Sequence, residues 1–268
     1  RLSLVGSEMC IRDSSWDMNA SLSAVNETLR GSPTPACVDR SVGYCSAWDI
    51  LISAIRACPY RLFWEIFSGV GILTQKMREE GWHCAPPLDV LEDESFNLLN
   101  PLFVAIVLGL VLEGRFALIH WGPPCSSFSM AVNRFWSHAM RSVDWPLGFP
   151  GLPLHKQKKV DLGNSLAAVA LRLMQAQDKV GHAWQLEQPS TSLMVCLPDF
   201  AAFLGRTGVF HAIAWVCAFG APWAKPTSVY SNRSHVMDIN IGCPGCPFHQ
   251  KLEGLSLIHI SEPTRLRR

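Results

Sequence analysis

The sequence predicts an α/β fold: a Rossmann-like, mostly parallel sheet with helices on both faces. Two features point there. From Arg61 onward, short apolar runs alternate with segments of helical period, the mark of a sheet wound by crossover helices. Residues capable of chemistry also fall just after the expected strands, where open α/β sheets bind their ligands.

In chain order, residues 15–45 are polar, carry the breaker run Gly31-Ser32-Pro33-Thr34-Pro35 and show no period, so a loosely ordered extension is expected. Trp48, Leu51, Ile52 and Ile55 fall at helical spacing within 47–57, which predicts a short amphipathic helix ended by Pro59. The main domain is expected at 61–254. It opens with a strand at 62–67, a helix at 72–80 and a second strand at 82–86. The run 101–112 reads as a buried helix, and 116–121 as a strand apolar enough for the middle of a parallel sheet. Residues 122–161, rich in Pro and Gly, read as one long loop with room for a short helix. A helix at 162–177, a strand at 182–187, a short helix at 198–204 and strands at 210–219 and 227–231 complete the pattern.

Composition narrows the function classes. With 268 residues, 49% hydrophobic and 17% charged, the chain has the apolar material for one core and too little charge for a disordered tail protein. The longest apolar run, 101–112, is interrupted by Gly109, closed by Glu113 and shorter than the ~20 residues a membrane helix needs, so no membrane span is expected. Lys+Arg 23 against Asp+Glu 22 excludes a histone-like basic binder and leaves room for a local basic patch. Ten cysteines without a secretory apolar segment read as reduced thiols or metal ligands, implying an intracellular protein. The oligomeric state leaves no signal.

The two ends read as a pair. GAG-ATG-TGT-ATA-AGA-GAC-AG encodes the Glu-Met-Cys-Ile-Arg-Asp-Ser of 8–14, and its reverse complement encodes the Leu-Ser-Leu-Ile-His-Ile-Ser of 255–261. This DNA resembles the transposase adapter of sequencing libraries, so 1–14 and 255–268 are expected to be adapter-derived and carry no fold. They hold Arg1, Arg12, Arg265, Arg267 and Arg268 against Glu8, Asp13 and Glu262, so the remainder is close to neutral. Cys10 and His259 leave the site argument with them.

Four spots at strand ends are chemically loaded. In Glu65-Ile66-Phe67-Ser68-Gly69-Val70-Gly71 the glycines allow a tight turn and close backbone approach before a helix N-terminus, though a plain strand-to-helix turn reads the same way. Asp89, beyond the second strand, is placed either to accept ribose hydroxyls or to serve a turn. In Gly122-Pro123-Pro124-Cys125-Ser126-Ser127-Phe128-Ser129 two prolines stiffen the strand exit and hold a thiol at its tip, a position suited to a nucleophile. Glu187-Gln188-Pro189 sets a carboxyl at another strand end, where burial is expected to raise its pKa and let it hold a proton. Apart from these, Cys243, Cys246 and His249 offer three zinc ligands and lack a fourth, so zinc is expected at less than one per chain. Cys37, Cys45, Cys58, Cys84, Cys196 and Cys217 read as core or incidental thiols.

Over residues 61–231 these pieces resemble, in order, the motifs of the DNA (cytosine-5) methyltransferases and their divergent relatives. Phe67-Ser68-Gly69-Val70-Gly71 resembles the S-adenosylmethionine motif and Pro123-Pro124-Cys125 the Pro-Cys nucleophile motif. Glu187-Gln188-Pro189 stands where the family has Glu-Asn-Val or Glu-Asn-Pro, and Phe219-Gly220-Ala221-Pro222 with Lys225 resembles the later Gly-x-Pro-Gln-x-Arg segment. The resemblance implies a class I methyltransferase sheet, S-adenosylmethionine as cofactor, and methyl transfer to carbon 5 of cytosine in DNA or RNA. It makes Cys125 and Glu187 catalytic. Glu65, Phe67, Ser68, Gly69, Gly71, Asp89 and Pro124 would hold the cofactor, with Trp64 or Trp82 bordering its adenine. Ser126, Arg134, Arg141, Lys156, Lys158, Lys159 and Lys225 would face the nucleic acid; all but Lys225 fall in the long 122–161 loop, whose lysines read equally well as a solvated surface.

The sequence also departs from the family. Ser126 replaces Gln, Gln188 replaces Asn, Lys225 replaces Arg, and no acidic residue follows the third strand near Asn97. The stretch from Cys125 to Glu187 is longer than usual, and the target-recognition region and last cofactor motifs are expected to be absent or to lie beyond a cut near residue 254. Two other readings therefore stand beside the first. One is a degenerate, non-catalytic fold from a mobile element that binds nucleic acid or cofactor. The other is an amino-methyltransferase, against which Cys125 occupies the place of an aromatic residue.

Overall fold

The computed structural model describes residues 46–134 and 137–250. The expected extension and both adapter-like ends lie outside them. Strands β1 (Leu62–Ile66), β2 (Phe116–Trp121) and β3 (Ala183–Pro189) run parallel, in that order. β4 (Phe210–Trp215) forms the far edge, and β5 (Pro226–Ser231) is inserted between β3 and β4, antiparallel to both. Every residue of β1 is buried, and all of β2 except the half-buried Ala117, so both faces of this part of the sheet are covered. The fold is α/β and Rossmann-like, as the alternation of apolar runs predicts.

Helix α1 (Ala47–Ala57) starts in a capping box, in which Ser46 and Asp49 satisfy each other's backbone N–H groups. Its apolar stripe buries Leu51 and Ile55, and Trp48 stacks on Phe103, so the helix belongs to the main core. Arg115 closes its other end, donating to the carbonyl oxygens of Ile55 and Cys58. Helix α2 (Ile72–Glu79) follows β1. Helix α3 (Pro101–Leu112) has Asn100 as its cap and Pro101 in its first turn, and it is apolar all round because the sheet and the long helix α5 (Leu154–Lys179) enclose it. Short helices α4 (Met130–Asn133) and α6 (Pro198–Leu204) complete the set. Among the described residues no helix is long and apolar enough to cross a membrane.

Three elements differ from expectation. The second strand is reduced to two parallel bridges, Phe63 with Cys84 and Ile66 with Leu88, because Pro86 and Pro87 between them have no N–H to donate to a ladder. Helix α5 begins at Leu154, eight residues before its apolar period starts, so Lys156, Lys158 and Lys159 stand on its first turns and not in a loop. β4 ends at Trp215, where the chain coils into a 3-10 turn, Val216–Phe219, closed by Gly220 at φ +90°.

The topology fixes where a ligand fits. The bridged segment pairs with one edge of β1 and β2 with the other, so the chain leaves the C-terminal ends of β1 and β2 in opposite directions. A crevice at that switch point is where open α/β sheets bind.

Candidate active site

The turn that ends β1 is tightly constrained. Phe67 has φ +61°, and it is the one non-glycine at positive φ among the described residues. Gly69 and Gly71 follow at +56° and +69°. A Cβ on Gly71 would lie 3.0 Å from Pro87, so glycine is required there twice over. Asp89 holds the turn from the bridged segment: Oδ2 accepts from the Gly69 N–H at 2.8 Å and Oδ1 from the Leu91 N–H at 2.9 Å. Glu65, expected to hold cofactor, is buried and occupied. Its Oε2 accepts from the Thr74 N–H (2.7 Å) and hydroxyl (2.6 Å), fastening the start of α2 to β1. Trp64 is fully buried, stacks on Phe116 and donates to the Pro86 carbonyl, so it is core and borders no adenine; Trp82 is exposed.

Ser68 leaves a polar atom unpaired in this turn. Its hydroxyl is buried and has no hydrogen-bond partner, a condition that favours a polar ligand. Each Asp89 oxygen keeps a second lone pair for a hydroxyl. Phe67, Ser68, Gly69, Gly71 and Asp89 thus fit a polar cofactor such as S-adenosylmethionine, with Glu65 as their support.

At the end of β2 the Pro-Pro-Cys segment is tied to β3. Gln188 is buried, donates through Nε2 to the Pro123 carbonyl at 2.8 Å, and accepts from the Ser192 hydroxyl at 2.9 Å. Pro124 and Ser126 are exposed, whereas Cys125 is half-buried, its carbonyl accepting from the N–H groups of Phe128 and Ser129. Burial pushes the Cys125 thiol above its ordinary pKa; the charge of Glu187 adds to this and that of Lys225 opposes it.

Glu187 departs from expectation. Burial, the largest single influence, raises its pKa, but the neighbouring His120, together with the charge of Lys225, outweighs it and leaves the carboxyl below its ordinary value. It is therefore ionised in the free protein. His120, in the middle of an apolar strand and 8% exposed, sets Nε2 3.6 Å from Glu187 Oε2, while its Nδ1 is buried without a partner. Sequence reasoning missed it, although a histidine in the run Phe-Ala-Leu-Ile-His-Trp was a visible signal. The structure thus sets His120 beside Glu187, and the charges of Glu187 and Lys225 both bear on Cys125.

It does not gather the remaining basic residues. Arg141, expected to meet nucleic acid, is 1% exposed. Its guanidinium donates to the Pro146 and Val160 carbonyls, to Asn164 Oδ1 (2.7 Å) and to Ser127 Oγ (3.0 Å), and lies 3.9 Å from the centre of the Phe128 ring. It organises the loop after Cys125 from within, so its assignment to the nucleic-acid surface is withdrawn. Asn133 acts alongside, accepting from the Met140 and Arg141 N–H groups. Lys156 donates to the Ser137 carbonyl, and Arg134, Lys158 and Lys159 are exposed. Cys243, Cys246 and His249 lie beyond β4, joined there by Cys217.

No protein-family model and no curated protein matches the chain. Among solved structures it is similar to a methyltransferase of Entamoeba histolytica, EhMeth, with 12% identity and a TM-score of 0.38. The match covers 65% of this chain and 53% of that one, so the chain spans about half of that protein's length.

Proposed function

We propose that this chain is an S-adenosylmethionine-dependent methyltransferase domain acting on carbon 5 of cytosine in DNA or RNA, with Cys125 as nucleophile. One observation carries the reading: the Pro123-Pro124-Cys125 exit of β2 is tied to the Glu187-Gln188-Pro189 end of β3 by the Gln188–Pro123 hydrogen bond, and Gly122 N–H binds the Ile66 carbonyl beside the glycine turn of β1. Carbon 5 of cytosine becomes a nucleophile only after sulfur adds to carbon 6. In the free protein the proton sits on Cys125 and the negative charge on Glu187. Moving that proton to Glu187 yields a thiolate and a carboxylic acid with no change of net charge, and Lys225 attracts whichever group is the anion.

The thiolate sulfur then bonds to carbon 6, the π pair of the carbon 5–carbon 6 bond moves into the ring, and Glu187 shares its proton with ring nitrogen 3. S-adenosylmethionine, when bound at Phe67–Gly71 and Asp89, supplies the electrophilic methyl group that carbon 5 takes up. Loss of the carbon 5 proton to a base restores the double bond and expels the Cys125 thiolate, and nitrogen 3 returns its proton to Glu187. A base in a duplex must first leave the stack, and the loop after Cys125, held by Asn133 and Arg141, would close over it.

The test is trapping. With S-adenosylmethionine and DNA or RNA containing 5-fluorocytosine, the protein should form a complex that survives denaturant, because fluorine cannot leave as a proton does. Cys125→Ser should abolish the complex, and Glu187→Gln should slow its formation strongly while leaving cofactor binding intact. Methylation of cytosine by Cys125→Ala would overturn the mechanism. Binding of cofactor and nucleic acid without any adduct would put the non-catalytic reading in its place.

A further inference from the structure

The tail beyond β4 has an unusual pattern of burial. In residues 241–250 every side chain is exposed except those of Cys243, Cys246 and His249, which turn inward. No apolar residue of this stretch enters a core: Phe248 is 79% exposed and Ile241 44%. Backbone bonds hold it at two points, Trp215 N–H to the Ile241 carbonyl and Gln250 N–H to the Pro222 carbonyl. Two such bonds are little against the ~1–2 kcal/mol of backbone entropy lost by each ordered residue.

The inward side chains meet a fourth ligand that the sequence alone does not place. Cys217, buried in the 3-10 turn after β4, brings its sulfur into the group, and the ligand atoms of Cys217, Cys243, Cys246 and His249 all lie within 4.8 Å of one another. Cys243 Sγ is 3.5 Å from His249 Nε2. Gly245, at φ +85°, makes the turn that brings Cys246 back toward Cys243. A tetrahedral zinc with bonds of about 2.0–2.3 Å has ligand–ligand edges of roughly 3.5–3.8 Å, so closing on a metal requires movements of about an ångström or less.

We propose that Cys217, Cys243, Cys246 and His249 bind one structural zinc ion. Three thiolates and an imidazole, with no open position, are a donor set for zinc and not for magnesium or calcium. The metal replaces the missing apolar core of the tail, pinning 241–250 to the 216–225 segment. That segment carries Lys225, whose carbonyl already accepts from the Val216 N–H at 3.4 Å. The expectation of an incomplete site is thereby revised: the fourth ligand lies 26 residues upstream of Cys243 and is supplied by the fold.

Elemental analysis of protein purified in zinc-containing buffer without chelator should find one zinc per chain and no stoichiometric iron. Removing it with chelator under native conditions should release three thiols to a thiol reagent per zinc lost, and cobalt should replace it with the intense ligand-field bands of a tetrahedral thiolate site. Cys217→Ser should lower zinc occupancy as much as Cys243→Ser, whereas Cys84→Ser should leave it unchanged. The thiol count needs no variant, so it decides the matter even where Cys217→Ser fails to fold. Folded protein with well under half an equivalent of zinc overturns the proposal, as does release of only two thiols, which would leave Cys217 outside the site.

Discussion

Replacing Arg141 with methionine separates the two roles this residue can be given. The substitution keeps an apolar stem but removes the guanidinium and its four hydrogen bonds, to Pro146, Val160, Asn164 and Ser127. A hydrogen bond to a charged group contributes about 1.5–3 kcal/mol net, which summed naively would exceed the stability of many domains. The sum is too large, because the four share one guanidinium that is itself disfavoured by burial; its pKa is pushed down to about 10, with Asp161 opposing the shift. Removing one side of a buried polar network destabilises by about 3–5 kcal/mol, and an apolar replacement of similar shape recovers part of that. Arg141→Met is therefore expected to destabilise by about 2–4 kcal/mol and Arg141→Ala by about 3–5 kcal/mol. Urea unfolding followed by tryptophan fluorescence measures this, and nucleic-acid affinity across a salt series measures the alternative. A variant of native stability with weakened affinity and a shallower salt slope would refute the buried-anchor argument and return Arg141 to the nucleic-acid surface.

Asp89→Ala removes the acceptor of the Gly69 N–H and should weaken S-adenosylmethionine binding at least tenfold by calorimetry while leaving the urea midpoint within about 1 kcal/mol of native; unchanged affinity would mean that Asp89 only shapes a turn. Asp178 accepts from Trp184, Arg206 and Asn232, and these bonds outweigh burial, the largest single influence, to hold its carboxyl below the ordinary 3.8. A carboxyl with a depressed folded-state pKa contributes stability above its unfolded value and loses it as pH falls through the folded one. Asp178→Asn should therefore lower stability by about 1–2 kcal/mol at neutral pH and flatten the acid limb below about pH 4, read from urea midpoints along a pH series.

The sequence displayed whatever depends on local period and missed whatever depends on partners far along the chain. The strand at 116–121 and the helix at 101–112 were legible because apolar runs of those lengths have few alternatives in an α/β fold. The first turns of α5 were not, since 155–161 is polar and mostly charged and its helicity is continued from the apolar turns that follow. Pro86 and Pro87 were in plain view, but that they would break a ladder depends on knowing which strand lies alongside. At the site, Cys125 and Glu187 stood out by type and position. The low pKa direction of Glu187 did not, because it comes from His120 on a different strand and Lys225 from a later one. Arg141 shows the opposite failure. A charged residue in a Pro- and Gly-rich stretch reads as surface, and only the converging carbonyls of Pro146 and Val160 make it interior.

The insertion of β5 between β3 and β4 has a consequence for how the molecule is made. β4 meets the sheet through β5 alone, so a growing chain that has completed residue 215 holds a strand with nowhere to dock and a β3 whose outer edge is open. Both wait for residues 226–231. Pairing β3 with β5 closes a loop of about forty residues, a slow, entropically costly event compared with coiling α5. Lys225 immediately precedes that strand, so the charge that bears on Cys125 and Glu187 arrives only with the step that seals the sheet. A form ending before residue 225 would leave the β3 edge unpaired and lack the Lys225 charge.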